Sequence, residues 1–441
     1  MKLHFFTANN IEDYHKNYLN SGLAKKLFNK LHPQTLEDFD QGFFFHFLKD
    51  TFQVPEGIYE SRIYGDTGFP GLRLDFNFGL RLDIPEGNFR VRISDLDNER
   101  VVFDKYISGG RLLSVEHYFI RWKVEVFLDE EKIFSHTLDL EGQPVTIMYK
   151  FFALGDTIAF LPYFREFKKR YKCNLSVCLP DYACELFAQL YPDIPLIDEV
   201  DFKTYATYYM AMMMSSFPLM PVDTRYMSMD KVAGTLLGIN YLPPKGVFQP
   251  TAPPVTDEPY VCIAVHARNG RKCWHYPKGW DVVIDYLKSL GYRVFCIDKE
   301  AELKNDNFTI RKPDGAEDFT GDHPLIERAN MLYYADFFIG LGSGLSWLAH
   351  AVDCPVVLIS GFSQDWCEFY TPYRVANRRV CNGCFNDYRA NFLGNTNFCH
   401  YHNGTPRELE CQKKITPRMV IEAIERLIVD KNLTPPALKN L

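Results

Sequence analysis

Four stretches of this chain hold residue types that could do chemistry. The first is Lys150-Phe151-Phe152-Ala153-Leu154-Gly155-Asp156-Thr157, where an apolar run ends in a tight turn and helical spacing begins. Glycine permits close backbone approach there, and a helix amino terminus offers unpaired N–H groups to an anion, which makes Gly155 and Thr157 candidate donor-binding positions. Asp156 has two readings. It is either an N-cap, for which Asp is favoured, or a general base that takes the proton of an acceptor hydroxyl. Its place at the carboxyl end of a strand speaks for the base.

The second stretch, His266-Ala267-Arg268-Asn269-Gly270-Arg271-Lys272-Cys273-Trp274, follows another apolar run. Arg268, Arg271 and Lys272 suit a diphosphate, arginine as a fork and lysine as a point charge. A solvated basic loop would read the same, and spacing does not say which of the three faces a ligand. The third stretch, Gly340-Leu341-Gly342-Ser343-Gly344-Leu345-Ser346-Trp347, is again strand, glycine turn and helix. Gly342, Ser343, Gly344 and Leu345 could cradle a phosphate or a ribose, although the pattern is neither the dinucleotide fingerprint nor a P-loop. The fourth is Cys381-Asn382-Gly383-Cys384 with Cys399 and Cys411, spaced Cys-x2-Cys-x14-Cys-x11-Cys. Four thiolates in an Asn-rich and Gly-rich loop suit a closed tetrahedral metal site with a structural role, with free thiols or a redox pair as the weaker readings. Cys367, His400 and His402 are near enough in sequence to substitute. Sulfur ligands fit zinc or iron alike.

These stretches need elements to position them. At 441 residues, with 46% apolar and 24% charged residues, the chain has the composition of a folded protein of two or three domains. A net charge of −7 with Lys and Arg spread along the chain gives no basic field and argues against a nucleic-acid partner. Met1 to Phe6 carries too short an apolar group for a signal peptide, and the closest approach to a membrane span, Tyr205 to Met220, is broken by serines and stopped by Pro218 and Pro221. The expected location is cytoplasmic, with reduced cysteines.

From Tyr64 to Leu140 short runs such as Leu72-Arg73-Leu74-Asp75-Phe76 alternate apolar and polar residues, which predicts a β-rich amino-terminal domain over residues 1–142. Ile11 to Asp50 has moderate helical spacing and no clear assignment. From Gln143 strands alternate with helices, and the alternation restarts after Pro243 to Pro259, which holds six prolines and reads as a linker. The expectation is an α/β fold with two Rossmann-like domains, residues 143–245 on the acceptor side and 246–416 on the donor side, the latter carrying a metal finger over 381–411. A helix in 417–441 is expected to pack back across the domains. Two such units leave a ligand cleft between the carboxyl ends of their sheets.

The run Asp318-Phe319-Thr320-Gly321, Pro324 to Arg328 and Tyr334 to Ala349 resembles the bacterial autotransporter heptosyltransferases. Pro355-Val356-Val357, Ile359 to Ser363, Glu368-Phe369, Pro372 to Val375 and the knuckle at Cys381 continue the resemblance, which covers about Gln143 to Leu427. It implies a GT-B fold, ADP-heptose as donor, and heptose transfer to serine hydroxyls of an autotransporter adhesin passenger domain. It also implies iron in the four-cysteine finger and a large homo-oligomer. By this likeness Asp156 is the base, Lys272 the donor-phosphate lysine, and Gly342, Ser343 and Gly344 the donor loop. The alternatives are a lipopolysaccharide-type heptosyltransferase with a glycolipid acceptor, and a non-catalytic metal-finger binding protein.

Overall fold

The computed structural model describes residues 5–8 (backbone only), 61–114, 116–150, 153–210, 224–268, 270–304, 308–387, 389 and 399–438. The helical spacing at Ile11 to Asp50 lies outside the described residues. The amino-terminal part carries β1 (Phe5–Ala8), β2 (Arg73–Asn77), β3 (Arg81–Ile84), β4 (Phe89–Asp95), β5 (Arg100–Ile107), β6 (Gly110–Ser114), β7 (Trp122–Leu128) and β8 (Glu131–Thr137). Strands β5-β4-β7-β8 form an antiparallel sheet of their own. Its alternation is the one the sequence predicts: Phe89, Val91 and Ile93 point into the core, while Arg90 and Arg92 face outward and pair with Asp104.

The other strands join the next unit. That unit contains β9 (Pro144–Met148), α1 (Leu154–Tyr171), β10 (Asn174–Cys178), α2 (Asp181–Leu190), β11 (Ala206–Tyr209) and α3 (Met229–Leu237). One seven-stranded sheet runs β1-β6-β3-β2-β11-β9-β10, with β2, β11, β9 and β10 parallel. It therefore crosses the boundary expected at Gln143. Buried polar bonds make the seam: Thr207 donates to Asn77 Oδ1 at 2.6 Å, Asn77 Nδ2 donates to the Thr204 carbonyl at 2.9 Å, and Arg81 holds Asp75 at 2.6 Å. In the sequence Asp75, Asn77 and Arg81 read as surface residues, which hides the continuation.

Residues 241–259 contain no helix or strand. The linker is tied to both units, because Gly246 N donates to the Tyr191 hydroxyl at 3.0 Å and the Lys245 ammonium to the His350 carbonyl at 2.6 Å. The second unit follows with β12 (Tyr260–Ile263), α4 (Gly279–Ser289), β13 (Arg293–Cys296), β14 (Glu302–Lys304), β15 (Thr309–Arg311), β16 (Glu317–Asp318), α5 (Leu325–Tyr334), β17 (Phe337–Leu341), α6 (Gly344–Ala351), β18 (Val356–Ile359) and β19 (Arg374–Val375). Its sheet, β16-β13-β12-β17-β18-β19, is parallel throughout. That is the Rossmann order, and its switch point lies between β12 and β17.

Both faces of this sheet are buried. Tyr260, Cys262 and Ala264 enter a core shared with the first unit, and Val261, Ile263 and Val265 enter a second core that includes residues of α4 and of α8 (Pro417–Asp430). Beyond strand β12 Asp298 takes the N–H groups of Val265 and His266, at 2.7 and 3.3 Å, and turns the chain out of the ladder. Helix α8 follows the short α7 (Glu410–Lys413) and packs on α4, β18 and β19 of the second unit. Its start is set by Pro417 in the first turn and by Thr416, whose hydroxyl accepts from Met419 N.

Candidate active site

The two units meet where α1 and α6 begin. A Cβ built on Gly155 would lie 2.9 Å from Trp347 Cδ1, and one on Gly344 would lie 2.7 Å from Leu154 Cβ. Only glycine permits this approach, and it turns two helix amino termini toward one cleft. The N-cap of α1 is Ala153, so Asp156 is the third helical residue and not the cap. Its side chain is 7% exposed and has no hydrogen bond or ion pair with any described residue. Burial raises its pKa from the ordinary 3.8 to about 6, and the charge of Lys272, reaching across from the second unit, pulls the other way. A cleft carboxylate that titrates near neutrality is matched to proton transfer.

Thr157 is turned into its own helix. Its hydroxyl donates to the Ala153 carbonyl at 3.1 Å and accepts from the Tyr182 hydroxyl at 2.8 Å, and its N–H also bonds Ala153. Tyr149 and Tyr182 border the same carboxylate. Burial is the main force keeping both phenols protonated, and the charge of Asp156 adds to it. Sequence reasoning passed over both, although Tyr149 stands just beyond the end of a strand beside the predicted site.

The basic loop divides three ways. Lys272 is half-buried and Arg268 exposed, and neither has a hydrogen bond or ion pair among the described residues. Arg271 is buried against Phe362, its guanidinium carbon 4.9 Å from the ring centroid. Burial lowers its pKa, while Cys384, Cys399 and Cys411 favour its charge. The structure therefore places Arg271 at the cysteine segment, and of the three cations it brings Lys272 to Asp156. Asn269 lies outside the described residues.

Gly342, Ser343 and Gly344 follow β17 at the switch point. A Cβ on Gly342 would lie 2.6 Å from Glu368 Oε1. Glu368 is itself held by Arg374 at 2.9 Å and by the Ser363 hydroxyl at 2.6 Å, so a buried ionic buttress shapes the glycine loop from behind. Ser343 is the N-cap of α6 and makes no side-chain cap bond. Leu345 packs against the shared core. Glu368 and Arg374 stand in the stretch that carries the family resemblance, but their isolated charges give no sign of this contact.

The cysteine segment leans on all of this. Gly383 N and Phe385 N donate to the carbonyls of Gly361 and Phe362, at 2.9 and 3.1 Å. Asn386 Nδ2 donates to the Arg225 carbonyl at 3.0 Å, which reaches the first unit. All four sulfurs feel one another electrostatically. Burial, then the charge balance, pushes Cys384 up to about 12 and holds Cys381 and Cys411 above the ordinary thiol range. A bound cation would relieve that mutual opposition, so the donor set fits a thiophilic metal. One ligand atom each of Cys381, His402 and Glu410 lies within 4.8 Å of the others, a group that includes one of the four cysteines. Cys367 sits elsewhere, buried beside Glu368 and within the influence of Lys272.

Two family models match the chain: the amino-terminal domain of the glycosyltransferase TibC over residues 68–130, and glycosyltransferase family 9 (heptosyltransferase) over residues 241–390. The autotransporter heptosyltransferase TibC of Escherichia coli O78:H11 is 40% identical over 360 residues, 80% of this chain and 89% of that protein. A crystal structure of dodecameric iron-containing heptosyltransferase TibC in complex with ADP-D-β-D-heptose superposes with a TM-score of 0.78 at 39% identity, covering 82% of this chain and 96% of that one. An inactive autotransporter heptosyltransferase, BimC of Burkholderia thailandensis, is 33% identical over 372 residues, 82% of this chain and 86% of that protein. With its two Rossmann-like units in GT-B arrangement, the chain belongs to the bacterial autotransporter heptosyltransferase family and is a glycosyltransferase.

Proposed function

We propose that this glycosyltransferase moves heptose from ADP-heptose to serine hydroxyls of an autotransporter adhesin passenger domain, in the cytoplasm before export. The observation that carries the reading is Asp156: a buried carboxylate with a pKa of about 6, facing a lysine that makes no ion pair with any described residue. The resemblance to TibC, solved with ADP-D-β-D-heptose, supports the donor.

In this reading Lys272 binds the donor diphosphate as a point charge, with Arg268 at the rim, and the N–H groups of Gly342 and Gly344 and the Ser343 hydroxyl, which makes no cap bond, alongside. Asp156 accepts the serine proton as the serine oxygen bonds to the anomeric carbon. The bond from that carbon to the diphosphate breaks, and the electron pair leaves with ADP, whose charge Lys272 and the start of α6 stabilise. Cys381, Cys384, Cys399 and Cys411 would hold iron, with zinc the alternative, as a crosslink remote from the transferred group. TibC is dodecameric, which supports a large homo-oligomer here too.

Incubating the protein with ADP-heptose and an adhesin passenger fragment tests the reading. Intact mass should rise in whole heptose units, and fragmentation should place them on serines. Transfer to lipopolysaccharide core in place of the fragment would identify the glycolipid-directed alternative. Donor binding with no transfer to either acceptor would class the chain with the inactive relative.

A further inference from the structure

The buried amide of Gln412 joins the cysteine segment to the cationic loop. Gln412 follows Cys411, is fully buried, and donates from Nε2 to the carbonyls of Arg271 and Lys272, at 2.9 and 3.3 Å. Both neighbours are acceptors, which fixes the amide's orientation. Its Oε1 is buried with no hydrogen-bond partner among the described residues. An unmet buried acceptor is destabilising, so packing alone does not account for a glutamine at this position. Trp274 Nε1 makes a second tie, to the Ile415 carbonyl at 2.8 Å, and Arg271 makes a third through its charge.

We infer that Gln412 is a positioning residue: it fixes the backbone of Lys272, so that the cysteine segment sets where the donor-phosphate cation stands. The inference rests on the proposed role of Lys272 and goes beyond it, because it names how a structural metal site would act on donor affinity. Gln412→Met keeps the length and volume of the side chain and removes both N–H donors.

The test is a double-mutant cycle read by calorimetric titration of ADP into the purified full-length protein, with metal content and melting temperature measured alongside. Gln412→Met should weaken ADP binding about 10-fold with metal content retained, while Lys272→Ala should weaken it further. In the Lys272→Ala background Gln412→Met should add less than 2-fold, because a residue that acts through another has nothing left to position. Equal losses in both backgrounds would overturn the inference, as would unchanged affinity in Gln412→Met beside a weakened Lys272→Ala. If Lys272→Ala itself binds ADP as wild type does, the reading of the site fails and this inference fails with it. Should Gln412→Met not fold, Gln412→Glu replaces it, and the same non-additivity is required.

Discussion

Gly155 and Trp347 touch across the two units, and a methyl group at position 155 would stand 2.9 Å from the indole. The contact fixes how far apart the starts of α1 and α6 can be, and hence the width of the cleft. Gly155→Ala should cost about 1 to 3 kcal/mol by overpacking and lower transfer at saturating donor. Denaturant unfolding and initial rates check this; wild-type stability together with wild-type rate would mean that the units do not close on this contact.

The raised pKa of Asp156 has two consequences of opposite sign. A base must be ionised, so kcat/KM should rise with pH and level off above about 6. The folded chain holds this proton more tightly than the unfolded one. The burial penalty is therefore absent below 3.8, grows as pH rises between 3.8 and about 6, and is complete above that. Asp156→Asn should stabilise the protein at pH 7 by up to about 3 kcal/mol, two pKa units of desolvation, and by nearly nothing at pH 4. Thermal unfolding at the two pH values gives the answer, and an equal effect at both would remove burial as the cause.

Lys272→Ala should weaken ADP binding about 10- to 100-fold, the value of a charge-assisted phosphate contact of roughly 1.5 to 3 kcal/mol. Bound metal should stay at the wild-type level, since the Lys272 charge is not among those felt by Cys381, Cys384 and Cys411. Titration of ADP paired with elemental analysis separates the two. Loss of metal in this variant would place Lys272 in the finger.

Cys384→Ser should lower both bound metal and melting temperature, because breaking a closed thiolate site unties a segment that bridges Phe362, Arg271 and Arg225. A variant with full metal content and an unchanged melting temperature would refute a structural site.

Much of the architecture was legible in the sequence. Helical spacing gives the carboxyl-terminal helix, expected within 417–441 and found as α8 (Pro417–Asp430), because strong periodicity leaves little choice of register. The continuation of the first sheet into β2, β3 and β6 was not legible, since Asp75, Asn77 and Arg81 satisfy one another in the interior. At the site the glycine turns and basic loop announce themselves by composition. Composition does not tell Arg271 from Lys272: one residue of offset sends one side chain to the sulfurs and the other to Asp156. Gln412 and Glu368 reach distant loops through a few contacts, and no local pattern marks them.

In the proposed reaction Asp156 is the base of a transfer that Lys272 supports from the donor side. The most direct test is intact mass of an adhesin passenger fragment incubated with ADP-heptose and either wild type or Asp156→Asn, at equal donor occupancy set by calorimetry. Wild type should add heptose and the variant should lose at least 100-fold in rate, while ADP-heptose binds both. Undiminished transfer by Asp156→Asn would contradict the proposed reaction.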